Sequence, residues 1–352
     1  MVSNADRPVS TSRRRLVRYG AMLAVAGQAL VRSGNVRGAL FEARESDALS
    51  TPWPEMAYRT LGRTGFRGSR LIFGCGATLS SRRQDELLNT AFDAGINVFD
   101  VGFKHYYDAA ERNLAPFLQR RRDDVFLISK AIVPGDFGPE DEVSAAEARE
   151  AAEGWSRLLD ESLSELGVDH VDAYYLMASN NARVVASDEI YRVFERAKAA
   201  GKVSYLGLST HENAERVLTT AIETGRFHLA MIAITPGGWY DWETRKVLPG
   251  SPPMTALRPL LDRARAAGIA LIGMKAGRFL AGRRFLGWGN PEAFDAHYDE
   301  RLLRARLSEF QRSYAYVLEN GLDAVNADMQ TLTHLKENFI AAATSASYFA
   351  VT

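Results

Sequence analysis

One cysteine in 352 residues, Cys75, is too few for an intrachain disulfide, a four-cysteine iron–sulfur cluster or a zinc knuckle, so any redox chemistry must come from a bound organic cofactor. Net charge is missing as well. Lys and Arg total 43 and Asp and Glu total 43, which removes the one-signed field of a nucleic-acid binder and favours a small substrate over a polyanion. No stable membrane span is expected, because the apolar stretch near the N-terminus runs for only about a dozen residues, many of them small. The glycine turn after the first strand-like run, "FGCGATLS", gives no G-x-G-x-x-G, so the dinucleotide fingerprint of a doubly wound sheet is absent.

What is present begins with an address. In "STSRRRLVRYGAMLAVAGQALVRSG" the basic cluster Arg13 to Arg15 precedes the apolar stretch, and "SRRRLVR" resembles a twin-arginine signal, with Arg13 and Arg14 as the pair. The expectation is an export signal and leader over residues 1–44 and a polar linker over 45–56, with the folded domain at 57–352. The partner would be the twin-arginine export machinery and the destination periplasmic or extracytoplasmic. A basic tail with chance arginines is the alternative.

After the linker the chain alternates. "RLIFGCGA", "INVFDVG", "DVFLISK", "VDAYYLM", "KVSYLGLS", "LAMIAIT", "IALIGMK" and "LDAVNAD" are eight short apolar runs of the kind a sheet buried on both faces requires. Between them lie amphipathic patterns such as "GWSRLLDESLSELG" and "SDEIYRVFERAKAAG", several ending in the glycine that a helix C-terminus favours. Eight strand–helix repeats predict an α/β fold, a (β/α)8 TIM barrel. A doubly wound sheet can be drawn from the same units, without its fingerprint.

Strand C-termini and the loops after them line the active mouth of such a barrel, which gives "NVFDVGFKHYYDAAE" a place. Lys130 ends the third run, where an ammonium is costly to bury unless a carboxylate pairs with it, and Asp100 at the end of the second run is the evident partner. A tyrosine beside that ammonium would have its phenol pKa lowered, and a phenol so tuned can protonate a carbonyl oxygen.

Over roughly residues 57 to 343 the chain resembles the aldo-keto reductases. "YRTLGRTGFRGSRLIFGCG" is similar to that family's barrel-closing hairpin and first strand, "AFDAGINVFDVG" to its run into the catalytic aspartate, and "VFLISK" to the strand of its catalytic lysine. "LLDESLSELGVDHVDAYYL" is the most specific segment, matching the family's third helix and fourth strand in register. The resemblance implies catalytic roles for Asp100 and Lys130 and a tyrosine proton donor five residues after the aspartate, with glycine next and glutamate following. Counting from Asp100 gives His105, whereas counting back from Glu111 gives Tyr106, and a one-residue insertion reconciles the two. Tyr106 is therefore the expected proton donor, with Tyr107 second.

The chain also departs from the family pattern. Met177 stands where the fourth strand should end in histidine, and a thioether cannot polarise a carbonyl as an imidazole does. His105 is a candidate replacement. Ile234 and Thr235 occupy the position of an aromatic residue that stacks on nicotinamide, and Ser209 with Thr210 keeps only the serine of an amide-holding Ser-Asn pair. Lys275 and Arg278 suit a pyrophosphate, and Glu337 and Asn338 resemble adenine contacts, but Asp328 and Gln330 replace the basic residues expected for a 2′-phosphate. The cofactor is NADP or NAD. His105, Tyr107, Met177 and Trp239 are expected around the substrate pocket, and Trp288, Phe294, His297 and Tyr298 either form a lid or pack on the rim. Two functions follow: an exported nicotinamide-dependent oxidoreductase acting on a small carbonyl or alcohol, or a reductase-like barrel that has lost turnover and binds a ligand or partner.

Overall fold

A computed structural model describes residues 52–281 and 289–349. The leader at 1–44 with its arginine pair, the first part of the linker, and 282–288 with Trp288 lie outside the described residues.

An antiparallel hairpin of β1 (Tyr58–Thr60) and β2 (Arg67–Ser69) comes first. Then β3 (Leu71–Gly74), β4 (Val98–Asp100), β5 (Phe126–Ile132), β6 (Val171–Met177), β7 (Val203–Thr210) and β8 (Leu229–Thr235) pair in sequence, all parallel. A second hairpin, β9 (Gly238–Asp241) and β10 (Lys246–Val247), interrupts the series before β11 (Ala270–Met274) and β12 (Ala324–Asp328). The ladder runs on from β8 to β11 to β12 and returns to β3, so eight parallel strands close into a (β/α)8 barrel. Each of the eight runs read from the sequence supplies one of these strands.

One helix crosses outside each strand: α1 (Asp85–Asp93), α2 (Ala110–Arg121), α3 (Ala145–Leu166), α4 (Asp188–Ala199), α5 (Ala214–Thr224), α6 (Met254–Ala266), α7 (Glu309–Glu319) and α8 (Leu332–Thr344). Local chemistry sets the longest of them. The Ser144 hydroxyl accepts from the Glu147 N–H while the Glu147 carboxylate accepts from the Ser144 N–H, a capping box worth about 1 kcal/mol, and Gly167 ends the helix in the left-handed region at φ 64°.

Strand alternation sorts the core into two layers. Leu71, Phe73, Phe99 and Leu127 point out against the helices, whereas Ile72, Val98, Phe126 and Ile128 point into the barrel. Leu61 from the turn after β1 joins the inner layer, and Tyr205 Oη on β7 donates to the Thr64 carbonyl at 3.0 Å, so this hairpin plugs the bottom. The parity that turns Val98 and Ile128 inward also turns Asp100 and Lys130 inward, two residues nearer the open end.

The β9–β10 hairpin carries no strand-like apolar run of its own in the sequence. It extends β8 by antiparallel pairing of Ile234 with Trp239, and it carries Tyr240 into the inner layer with Trp242 packed beside it. The mouth thus has an aromatic cover on one side.

Candidate active site at the barrel mouth

Lys130 Nζ lies 2.7 and 2.6 Å from the two oxygens of Asp100 and also donates to the Val101 carbonyl at 2.6 Å. Both side chains are 5% exposed, so the ammonium spends its three donors on fixed oxygens rather than on water. From β12, Asn326 Nδ2 donates to Asp100 Oδ2 at 2.6 Å, and the Cys75 N–H donates to the Asp100 carbonyl at 2.7 Å. Burial pushes the Asp100 carboxyl above its ordinary value, opposed by Lys130 and by the Asn326 hydrogen bond. Burial, with Asp100 next to it, likewise pushes the Cys75 thiol well up.

The segment after β4 turns through a short helix, Lys104–Tyr107, and divides its side chains between two directions. Tyr107 turns inward. Its ring centroid is 5.5 Å from Lys130 Nζ, and the ring lies between Gly76 and Gly102: a Cβ on Gly76 would come within 2.4 Å of Tyr107 Cε1, and one on Gly102 within 2.9 Å of Cδ2. Asp108, the next residue, has φ 51°, the left-handed region that favours glycine. The backbone feature expected after the proton donor therefore follows Tyr107, and it is carried by an aspartate. Tyr106, the donor expected from spacing, is half-buried with its ring edge-on to Tyr107 at 4.7 Å.

The pKa expectation is corrected for Tyr107. Burial, helped by Tyr106, Asp328 and Asp100, pushes this phenol well above the usual tyrosine range rather than towards neutrality. The group is held protonated.

His105 is also corrected. It turns outward, with its side chain 49% exposed and its ring nitrogen 2.8 Å from Glu161 on α3. Lys104 beside it pairs with Glu161 and Glu165, both at 3.3 Å. These two residues face the acids of α3, not the mouth.

Met177 ends β6 opposite Ile132 and 4% exposed, two residues past Tyr175 of the inner layer, and it packs with the outer cluster. Ser209, on the next strand, accepts from the Ala178 N–H at 3.1 Å through its hydroxyl oxygen. Thr210 instead donates to the Glu212 carbonyl at 2.6 Å. Ile234 packs in the outer layer and Thr235 Oγ1 donates to the Gly238 carbonyl at 3.0 Å, so the end of β8 is engaged by its own hairpin.

A residue that sequence reading misses stands just past β7. The His211 ring packs 5.2 Å from the Trp242 indole, and the Lys275 ammonium lies 4.6 Å from the centroid of that same indole. Burial, with Lys275 and Lys130 nearby, pulls the imidazole down to about 3, so it is neutral across the physiological range. The available signal was position alone: a histidine directly after a barrel strand belongs to the mouth. Trp242 likewise replaces Trp239 as the mouth indole, because Trp239 is 5% exposed and packs in the outer core layer.

Lys275 adopts φ 71°, and burial pulls its ammonium down from the ordinary value. Arg278, itself exposed, follows it at the start of a one-turn helix, Arg278–Ala281, that buries Leu280. Glu337 on α8 accepts from Ser308 Oγ at 2.5 Å, and its carbonyl accepts from Gln311 at 3.1 Å, so it also ties α8 to the start of α7. Asn338 is 8% exposed in the same helix. Phe294 and Tyr298, 1% and 8% exposed, pack into the outer layer on the rim side. Among the described residues no group of three or more His, Cys, Asp or Glu is placed to hold a metal ion, and no helix is long and apolar enough to cross a membrane.

Comparison with known proteins agrees with this architecture. Residues 68–234 match the aldo/keto reductase family. Two uncharacterised oxidoreductases of Bacillus subtilis are similar: YrpG is 31% identical over 169 residues and YqkF 28% over 159, each match covering 44% of this chain and 49% of that protein. A protein of Oryza sativa subsp. japonica named as a voltage-gated potassium channel beta subunit is 32% identical over 127 residues, 34% of this chain and 37% of that one. The chain thus spans about half the length, 49%, of the first two relatives. Among solved structures, a Pseudomonas aeruginosa protein assigned as an aldo-keto reductase superposes with a TM-score of 0.54 at 21% identity, covering 84% of this chain and 98% of that one. A second such structure gives 0.55, 21%, 84% and 97%. Both match the fold.

Proposed function

We propose that the chain is a nicotinamide-dependent oxidoreductase of aldo-keto reductase type, reducing a small carbonyl compound or oxidising the corresponding alcohol. One observation carries the reading: the buried Lys130–Asp100 pair at the mouth of a parallel barrel, with the Tyr107 ring standing over its ammonium. The family match over residues 68–234 supports the reaction class.

The donors at the mouth fit the cofactor by type. The Ser209 hydroxyl suits the carboxamide, Lys275 and Arg278 suit the pyrophosphate, and Glu337 and Asn338 are offered to the adenine end. When bound, the nicotinamide supplies a hydride to the carbonyl carbon. Tyr107 donates its phenolic proton to the carbonyl oxygen, completing the alcohol, and the ammonium of Lys130 stabilises the phenolate left behind. Asp100 and Asn326 hold Lys130 in place. Tyr106, the choice made on spacing, remains the competing donor, and substituting each ring in turn decides between them.

NADPH and NADH titrations of protein intrinsic fluorescence test the reading. Saturable binding in the micromolar range or tighter, followed by carbonyl-dependent oxidation of the cofactor, is expected. No binding of either cofactor removes the reductase reading. It then favours the second one, a barrel that binds a ligand or partner without turnover, which Met177 and the engaged end of β8 support.

We also propose export by the twin-arginine route, on the strength of Arg13 and Arg14. Replacing both with lysine should leave the protein in the cytoplasmic fraction. Equal fractionation of the two forms would refute it.

A further inference from the structure

Met177 leaves the mouth without the imidazole that the family resemblance places at the end of β6. Two polar atoms close by have nothing to bond. His211 Nδ1 and Trp242 Nε1 are both shielded from solvent and without a hydrogen-bond partner among the described residues. They belong to rings packed 5.2 Å apart, and a sheltered polar nitrogen left unmade costs about 1–3 kcal/mol. A ligand atom that bonds these nitrogens removes that cost.

The strand register brings the pair to the right place. Leu176 on β6 is opposite Leu208 on β7, and the Ala178 and Ser179 N–H groups bond to Ser209, so the end of β7 stands beside Met177. His211 is two residues beyond Ser209, just past the end of β7, within electrostatic reach of both Lys130 and Lys275.

We propose that His211 orients the substrate carbonyl in place of the imidazole absent at Met177, donating a hydrogen bond from its sheltered nitrogen to the carbonyl oxygen, with the Trp242 indole N–H as a second donor. The groups facing the ring are Lys130 from β5, Lys275 after β11 and the Trp242 indole from the β9–β10 hairpin. Burial first, and then the two cations, disfavour imidazolium, so the ring acts as a neutral donor and does not exchange its proton during turnover. It is a polariser, with Tyr107 keeping the role of acid. The inference rests on the reductase reading.

The experiment compares wild type with His211→Phe, which keeps the ring packed on Trp242, and His211→Asn, which restores an N–H donor. NADPH and NADH dissociation constants are measured by fluorescence, then steady-state reduction of 4-nitrobenzaldehyde from pH 5.5 to 8. His211→Phe should lower kcat/KM by about 10²- to 10³-fold, the range for losing one hydrogen-bond donor to a developing oxyanion, with cofactor binding within about twofold of wild type. His211→Asn should recover about tenfold or more of that loss. No histidine limb should appear in the wild-type profile. Reduction by His211→Phe at the wild-type kcat/KM, or by the donor-less His211→Leu if the phenylalanine form does not fold, overturns the proposal alone. Wild type that neither binds nor oxidises cofactor overturns the reductase reading, and this inference falls with it.

Discussion

Lys130 and Asp100 sit two rungs apart on neighbouring strands, because Asp100 is opposite Ile128 in the β4–β5 ladder, yet the ammonium bonds both oxygens at 2.7 and 2.6 Å. The lysine stem reaches back down the barrel to do so. A charge pair this deeply buried is weak evidence for net stability, since each ion gives up its hydration, but removing one partner strands the other. Lys130→Met should cost about 3–5 kcal/mol in denaturant unfolding, and Lys130→Met combined with Asp100→Leu should recover part of that loss. Additive effects in the double-mutant cycle would mean that the two groups do not depend on one another.

The two adjacent tyrosines are separable by substitution. Tyr107→Phe removes the phenol standing over Lys130 and should reduce kcat by about 10²- to 10⁴-fold. Tyr106→Phe should leave at least a tenth of the wild-type rate. The reverse order would restore the choice made on spacing, and the left-handed Asp108 would then be a feature of the loop without bearing on the donor.

Gly76 and Gly102 hold Tyr107 by having no side chain. An alanine methyl at position 76 would need the Tyr107 ring to retreat from 2.4 Å to van der Waals distance, a displacement of about 1 Å or more. A shift of that size in a catalytic group costs about 10²-fold in rate. Gly76→Ala should therefore retain the far-UV circular dichroism of the wild type while losing about that factor in kcat. Full activity would show that the ring position is not critical.

Much of the fold was legible because a parallel barrel writes each strand as a continuous apolar run, and all eight runs became strands. Helix α2 was harder: "AERNLAPFLQRR" carries Pro116 in its interior, which argues against a helix when only the sequence is considered. The β9–β10 hairpin was missed because Gly237 and Gly238 punctuate it like any loop. At the site, Asp100 and Lys130 could be paired from the cost of burying an ammonium. The inward turn of Tyr107 could not, since it depends on the space left by Gly76, which is remote in sequence. Nor could His211 be weighed, because its neighbours Trp242 and Lys275 come from two other loops.

Two buried histidines should make the protein lose stability as pH falls below 6.5. Burial pulls His211 down to about 3 and His228 down to about 4, from 6.5 in the unfolded chain. Below pH 6.5 the unfolded state takes up a proton at each ring while the folded state does not, so stability falls as pH falls, until each folded pKa is reached. Above 6.5 neither ring contributes. Each contributes a slope approaching 1.4 kcal/mol per pH unit within its window, the value for one proton of difference. His228 is far from the mouth, packed 5.2 Å from Tyr205 on β7, so it can be changed without touching the site. His228→Phe should leave the urea midpoint at pH 7.5 nearly unchanged, apart from packing, and flatten its decline between pH 6.5 and 4. An equally steep decline in the variant would show that the acid sensitivity has another source.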